Sequence, residues 1–192
     1  IKPVLTNGAQ VGSKTIVIPL KGNGGTGFVS WNMVGDPFAF DVPFASCLVD
    51  TATGRITIQD AVNQGLILPT IYSYDSNSGY TFLSLPDGAL KAWSGHWLGV
   101  TSSSDIALVV PPNYVSRGLK TSTTPIDGWS VNLTATVKGI RDLNTVIGTS
   151  TKATNGFNQL SVPKPPMVGN YVSIAVNHND WANKSGLFSR DI

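Results

Sequence analysis

The chain has 192 residues, a formal net charge of +2 and charged side chains at only 12% of positions, about half the usual ~25%. All 11 acidic residues are Asp. The lack of Glu excludes a helical bundle or coiled coil, the 41% hydrophobic content argues against disorder, and near-neutrality without a basic run argues against nucleic acid as a partner.

Along the chain, period-two alternation dominates. Thr15 to Leu20 alternates, with Ile16, Ile18 and Leu20 on one face. The glycine-rich run Lys21 to Gly27 follows no phosphate-binding pattern and reads as a flexible turn. Phe28 to Met33 is the next strand, with Val29, Trp31 and Met33 on one side and Trp31 assigned to the core. Cys47, in Phe-Ala-Ser-Cys-Leu-Val, reads as a small buried hydrophobe, and as the single cysteine it can form no disulfide within the chain. A helix of at most two turns is expected at 57–65. Thr57 and Asp60 form its capping box, Ile58, Ala61 and Val62 its apolar stripe, and Gly65 its C-terminal stop.

Thr70 to Tyr74 and Tyr80 to Leu85 flank Asp75-Ser-Asn-Ser-Gly79 as a hairpin. Asp105 to Val110 is a further strand. Pro111-Pro112-Asn113 and the polar stretch Ser116 to Asp127 suggest a boundary near 112. That gives a β lobe over 1–112, then a second lobe or a continuation of the same sandwich over 113–192. Trp129 to Lys138 alternates most clearly. Its face of Trp129, Val131, Leu133, Ala135 and Val137 is expected in the core, and the Ser, Asn and Thr face in water. Pro163-Lys-Pro-Pro166 reads as an extended, exposed connector, and Tyr171 to Val176 as a strand. The fold class is therefore all-β: an antiparallel β-sandwich, or two packed β lobes, with one short helix. No repeat is evident. No run of about 18 apolar residues predicts a membrane span, and no signal peptide is visible. The gene product is expected to extend beyond one or both ends.

No nucleophile elbow or zinc-protease motif occurs. A three-ligand metal site would need both histidines, His96 and His178, plus an acid; His178 and Asp180 are close in sequence, but Asn177 and Asn179 beside them read as a polar loop. Asp36, Asp41 and Asp50 lie close in sequence, but the first two precede prolines and read as turn residues rather than a glycosidase pair. Asp50-Thr-Ala-Thr-Gly54 and Asp75 to Gly79 resemble calcium loops only weakly, and ordinary Asx turns explain both. No cofactor is expected, with calcium the weak alternative. The sequons Asn132-Leu-Thr134 and Asn183-Lys-Ser185 matter only in a host that glycosylates them.

The aromatics carry the remaining signal, five Trp and five Tyr in a chain with few charges. Sugar-binding sites stack flat rings on pyranose C–H faces and orient the hydroxyls with Asn, Asp and Gln. The candidates are Trp93 and Trp97, four apart; Tyr72, Tyr74 and Tyr80 around one hairpin, the first two sharing a strand face; and Trp181.

Val29-Ser-Trp-Asn-Met-Val-Gly-Asp-Pro-Phe38 resembles the G-W-N-L-I-G-N-P-Y motif of β modules found in large secreted and cell-surface proteins of bacteria that use the type IX secretion route, and in related groups. Ile71-Tyr-Ser-Tyr-Asp75, Gly79-Tyr80 and Ala92-Trp-Ser-Gly-His-Trp97 match the later motifs in order and spacing over residues 28–112, and the second half is similar more weakly. Ser30 stands where the family has its first Gly, and His96 where it has an aromatic residue. The resemblance implies an extracellular all-β accessory module, carries over no catalytic residue, and opens a structural role for Trp31, Trp93 and Trp97 beside a binding one.

Together these features predict a non-enzymatic module, secreted or displayed at the cell surface, that binds a polysaccharide or cell-surface glycan and belongs to a larger parent protein. A structural or adhesive subunit of a surface layer or filament is the alternative, assembled through edge strands such as Thr15 to Leu20. An unrecognised hydrolase is the third reading.

Overall fold

A computed structural model describes residues 14–75, 79–113, 127–158, 160–167, 171–181 and 184–192. The strands in chain order are β1 (Ile16–Leu20), β2 (Ser30–Gly35), β3 (Val42–Pro43), β4 (Leu48–Thr51), β5 (Gly54–Thr57), β6 (Ile67–Asp75), β7 (Gly79–Ser84), β8 (Ala89–Leu90), β9 (Gly95–Val100), β10 (Ile106–Val110), β11 (Gly128–Val137), β12 (Ile140–Ser150), β13 (Val162–Pro163), β14 (Val176–His178) and β15 (Gly186–Asp191). The helix α1 (Ile58–Asn63) starts where its capping box places it: the Thr57 hydroxyl oxygen accepts from the Asp60 amide at 3.0 Å.

Two antiparallel sheets, β1-β10-β4-β5 and β2-β9-β6-β7, face each other across one core. Alternation decides which side chains enter it. From the second sheet Val34, Leu98, Val100 and Ile71 point inward, and from the first Leu20, Val49, Leu108 and Val110 meet them. Cys47 is fully buried there, as expected, and burial pushes its thiol up to about 12, so it is an inert apolar group. The glycine-rich turn after β1 is pinned to the loop before β10. Asp105 accepts from the Gly22 amide and the Lys21 ammonium, and a Cβ on Gly22 would come within 2.4 Å of the Ser104 carbonyl oxygen.

The other face of β2-β9-β6-β7 carries Trp31, Trp97, Tyr72, Tyr74, Tyr80 and Phe82, brought together by the register Met33↔Trp97, Tyr72↔Trp97, Tyr72↔Phe82 and Tyr74↔Tyr80. A third sheet, β11-β12-β15-β13 with β14 on β15, packs on this face. All its strand pairs are antiparallel except β12 with β15. Its strap over the aromatics is the segment 161–166. The Tyr72 hydroxyl donates to the Pro163 carbonyl at 2.5 Å, the Tyr80 hydroxyl donates to the Pro166 carbonyl, and the Arg190 guanidinium lies over the Phe82 ring.

Three sequence expectations change here. Pro163-Lys-Pro-Pro166 is not an exposed connector. Pro163, Lys164 and Pro165 are buried, and the carbonyls of Pro163 and Pro166 accept from the tyrosine hydroxyls of the face they cover. Trp129 is not in the core, with 57% of its surface exposed. β11 pairs with β12 alone among the described residues, and Val131 and Val137 on the same apolar face are also 47% and 53% exposed. The strand expected at Tyr171 to Val176 begins only at Val176, and Tyr171 is exposed. The tip of the β6–β7 loop, Asn183 and most of Ser116 to Asp127 lie outside the described residues.

Candidate functional site

The tyrosines proposed as a sugar platform instead lie in the seam between the β2-β9-β6-β7 sheet and the third sheet. Tyr72 is 1% exposed and Tyr80 is buried, so neither can stack on a ligand. Trp97 is half-buried beside them, its indole N–H donating to the Tyr80 hydroxyl at 3.1 Å. Tyr74 is the one hydroxyphenyl of the group at the surface, edge-on to Tyr80. Trp31, expected in the core, is half-buried in the same seam, edge-on to Tyr72.

Trp93 is 88% exposed. It occupies a turn between β8 and β9 with φ +62, a left-handed conformation that an aromatic residue pays for. The turn is held from beneath. The Ala92 amide donates to Asp41, whose carboxylate also pairs with Lys91 at 2.6 Å. The Lys91 amide donates to His96 Nε2 at 2.9 Å, and His96 Nδ1 lies 2.8 Å from the Ser73 hydroxyl. Burial lowers the His96 pKa, and the Lys91 ion pair lowers that of Asp41. His96 thus has an inward role that the sequence did not assign.

Trp181 lines a cleft of about 580 Å³ at one end of the third sheet. The last residues of β12 and the loop 153–156 form one wall, the turn after β14 a second, and Asp191 and Ile192 the floor. Pairing of β14 with β15, with His178 opposite Gly186, sets the imidazole beside the C-terminal end of the chain. Its ring stacks on Trp181 at 3.6 Å and 8°, and Phe188 and Phe157 close edge-on against the indole. Asp180 approaches His178 Nδ1 at 3.3 Å. Asp191 lies 3.1 Å from His178 Nε2 but off the line of a hydrogen bond. The Asn158 amide donates to the carbonyls of Thr154, Gly156 and Ile192, which ties the loop to the terminus. Gly156, at φ +130, gives the loop a shape closed to other residues. Asp127 is held ionised nearby by the hydroxyls of Ser150 and Thr151.

The cleft is an aromatic wall beside Asp180, Asp191, Asn155, Thr149 and Thr154. Such a site offers C–H stacking together with acceptors and donors for hydroxyls, and no concentrated charge. The two carboxylates sit at opposite edges of the imidazole and do not converge on one point. Among the described residues, no three His, Cys, Asp or Glu gather as metal ligands. The acids 36, 41 and 50 each have their own partners, although burial and the like charge of Asp41 both raise the pKa of the Asp36 carboxyl. Asp36 accepts from the Phe38 amide, Asp41 holds Lys91, and Asp50 grips Arg55 with both oxygens, which occupies the first of the loops considered for calcium. Asp180 stands beside His178 in the sequence but reads there as part of a polar loop, and Asp191 is not singled out because no motif surrounds it. The compact run His178-Asn-Asp-Trp181 was the available hint.

Comparison of the chain with protein-family models, with curated proteins and with solved structures gives no match.

Proposed function

We propose that this chain is a non-catalytic, extracellular carbohydrate-binding module and that the Trp181 cleft is its binding site. The observation that carries this reading is the pairing of an aromatic wall with Asp180, Asp191 and Asn155 around one concavity of about 580 Å³, a volume suited to one or two sugar rings. Hydroxyl pairs bond to carboxylate and amide groups, while the apolar ring face lies along the indole. Trp93 adds a second flat surface outside the cleft, suited to a polymer. The sequence resemblance to modules of secreted bacterial proteins supports the same placement outside the cell.

The test is retention on insoluble cellulose, xylan and chitin and on a panel of soluble polysaccharides. Asp180→Ala is the informative variant, because Asp180 is largely in solvent and its loss leaves the packing intact. Retention by one polymer, reduced about tenfold or more in Asp180→Ala and unchanged in Tyr74→Ala, supports the cleft. Retention by none, with the chain folded, overturns the reading.

A further inference from the structure

Every sheet edge among the described residues is blunted or short, except one. β1 carries Pro19, which has no N–H to offer a further strand. On β2 the Asn32 side-chain amide bonds both the N–H and the C=O of Lys21, so a neighbouring segment covers that edge. β5 has four residues and carries Arg55, β7 lies against β12, and β3, β8, β13 and β14 have two or three residues each. β11 runs for ten residues, Gly128–Val137, with no charge and no proline, and pairs on one side only. Proteins normally defend such an edge with Lys, Pro or a bulge. The one irregularity of this ribbon lies in β12, which advances three residues (145 to 142) while β11 advances two (133 to 135), so the free edge stays regular.

We propose that β11 is a homodimer interface, on which a second copy of this chain adds its own β11 antiparallel across a two-fold axis at Leu133. The pattern is self-complementary in that register. Trp129 faces Val137 of the partner, Val131 faces Ala135 and Leu133 faces itself, while Ser130 meets Thr136 and Asn132 meets Thr134 on the other side. Trp129, Val131 and Val137, now 57%, 47% and 53% exposed, gain an apolar neighbour each. The charges at the ends agree. Asp127, ionised by its hydroxyl partners, precedes the strand, and Lys138, without an ion pair among the described residues, follows it. Antiparallel pairing sets each Asp127 end beside the partner's Lys138 end, whereas parallel pairing would bring like ends together. One strand pair covers less than the ~1,600 Å² of a standard interface, so the dimer is concentration-dependent. The two-fold closes, so no filament grows from this contact alone.

Sedimentation of the full chain from micromolar to millimolar concentration tests this, with Val131→Lys and Leu133→Cys beside it. The expected result is a monomer–dimer equilibrium, weakened about tenfold or more in Val131→Lys, whose melting temperature stays near that of the native chain. Oxidised Leu133→Cys should give a disulfide-linked dimer, while Val17→Cys, on the edge strand β1, should not. The buried Cys47 does not compete. A monomer at every concentration overturns the proposal, including the case where β11 amides resist hydrogen exchange because another part of the chain covers the edge. So does a dimer that Val131→Lys leaves unchanged.

Discussion

Trp93 sits where residue-scale energies oppose one another. The left-handed conformation costs a non-glycine residue about 1–2 kcal/mol, and glycine's extra unfolded-state entropy costs about 0.5–1 kcal/mol. The indole is almost wholly in solvent and gives little packing in return. Trp93→Gly should therefore stabilise the fold by up to about 1 kcal/mol in urea denaturation; a loss instead would mean that the indole packs. His96 makes a second prediction. Its neutral ring accepts from Lys91, and its folded pKa lies below the usual value because burial disfavours the imidazolium. The unfolded state then binds the proton more readily. Stability is full above about pH 6.5 and falls as the pH drops through that value toward the lower folded pKa. His96→Gln, which can still accept from Lys91, should flatten the melting temperature between about pH 7 and 5. An equally steep fall in the variant would assign the effect elsewhere. The sequence offered Trp93 as a binding candidate without deciding between surface and core, and gave no sign of the turn beneath it, because Asp41 and Lys91 meet across 50 residues.

At the scale of elements, alternation was a sound guide wherever a second layer packs on the strand's apolar face. The β1, β10 and β6–β7 expectations hold, as does the short capped helix. It failed for β11, where alternation records which face is apolar and cannot say whether anything packs on it. It also failed for the Pro163 segment, because proline signals an extended backbone equally in solvent and in a seam. Lys164 of that segment forms the most buried ion pair among the described residues. Lys164 Nζ lies 2.6 Å from Asp142 and donates to the Thr145 hydroxyl at 3.0 Å, and Asp142 also accepts from the Ile174 amide. Lys164→Met leaves a buried carboxylate without its counter-charge and should cost about 3–5 kcal/mol in chemical denaturation. The double variant Lys164→Met with Asp142→Leu should recover a large part of this. No recovery would show that the remaining bonds, not the unpaired charge, set the loss.

At the scale of the molecule, the β2-β9-β6-β7 sheet and the third sheet share the layer of Tyr72, Tyr80, Trp97, Phe82 and Val162, and the Tyr72 hydroxyl donates across that seam. Calorimetry should therefore give a single unfolding transition, and two separated peaks would count against a common core. All-β architecture was legible from composition and period two. The division of labour among the aromatics was not, because a tyrosine on a sheet face reads the same whether a sugar or a second sheet lies over it. Only tertiary placement separates Tyr72 in the seam from Trp181 in the cleft.

The measurement that bears most directly on sugar binding at that cleft is an amide and indole NMR titration of the chain with oligosaccharides from whichever polymer retains it. The account predicts saturable shifts of the Trp181 indole N–H and of amides within 148–156, 178–181 and 191–192, with the Tyr72 and Tyr80 region undisturbed. Shifts confined to the Trp93 turn, or none at saturating sugar, would contradict it.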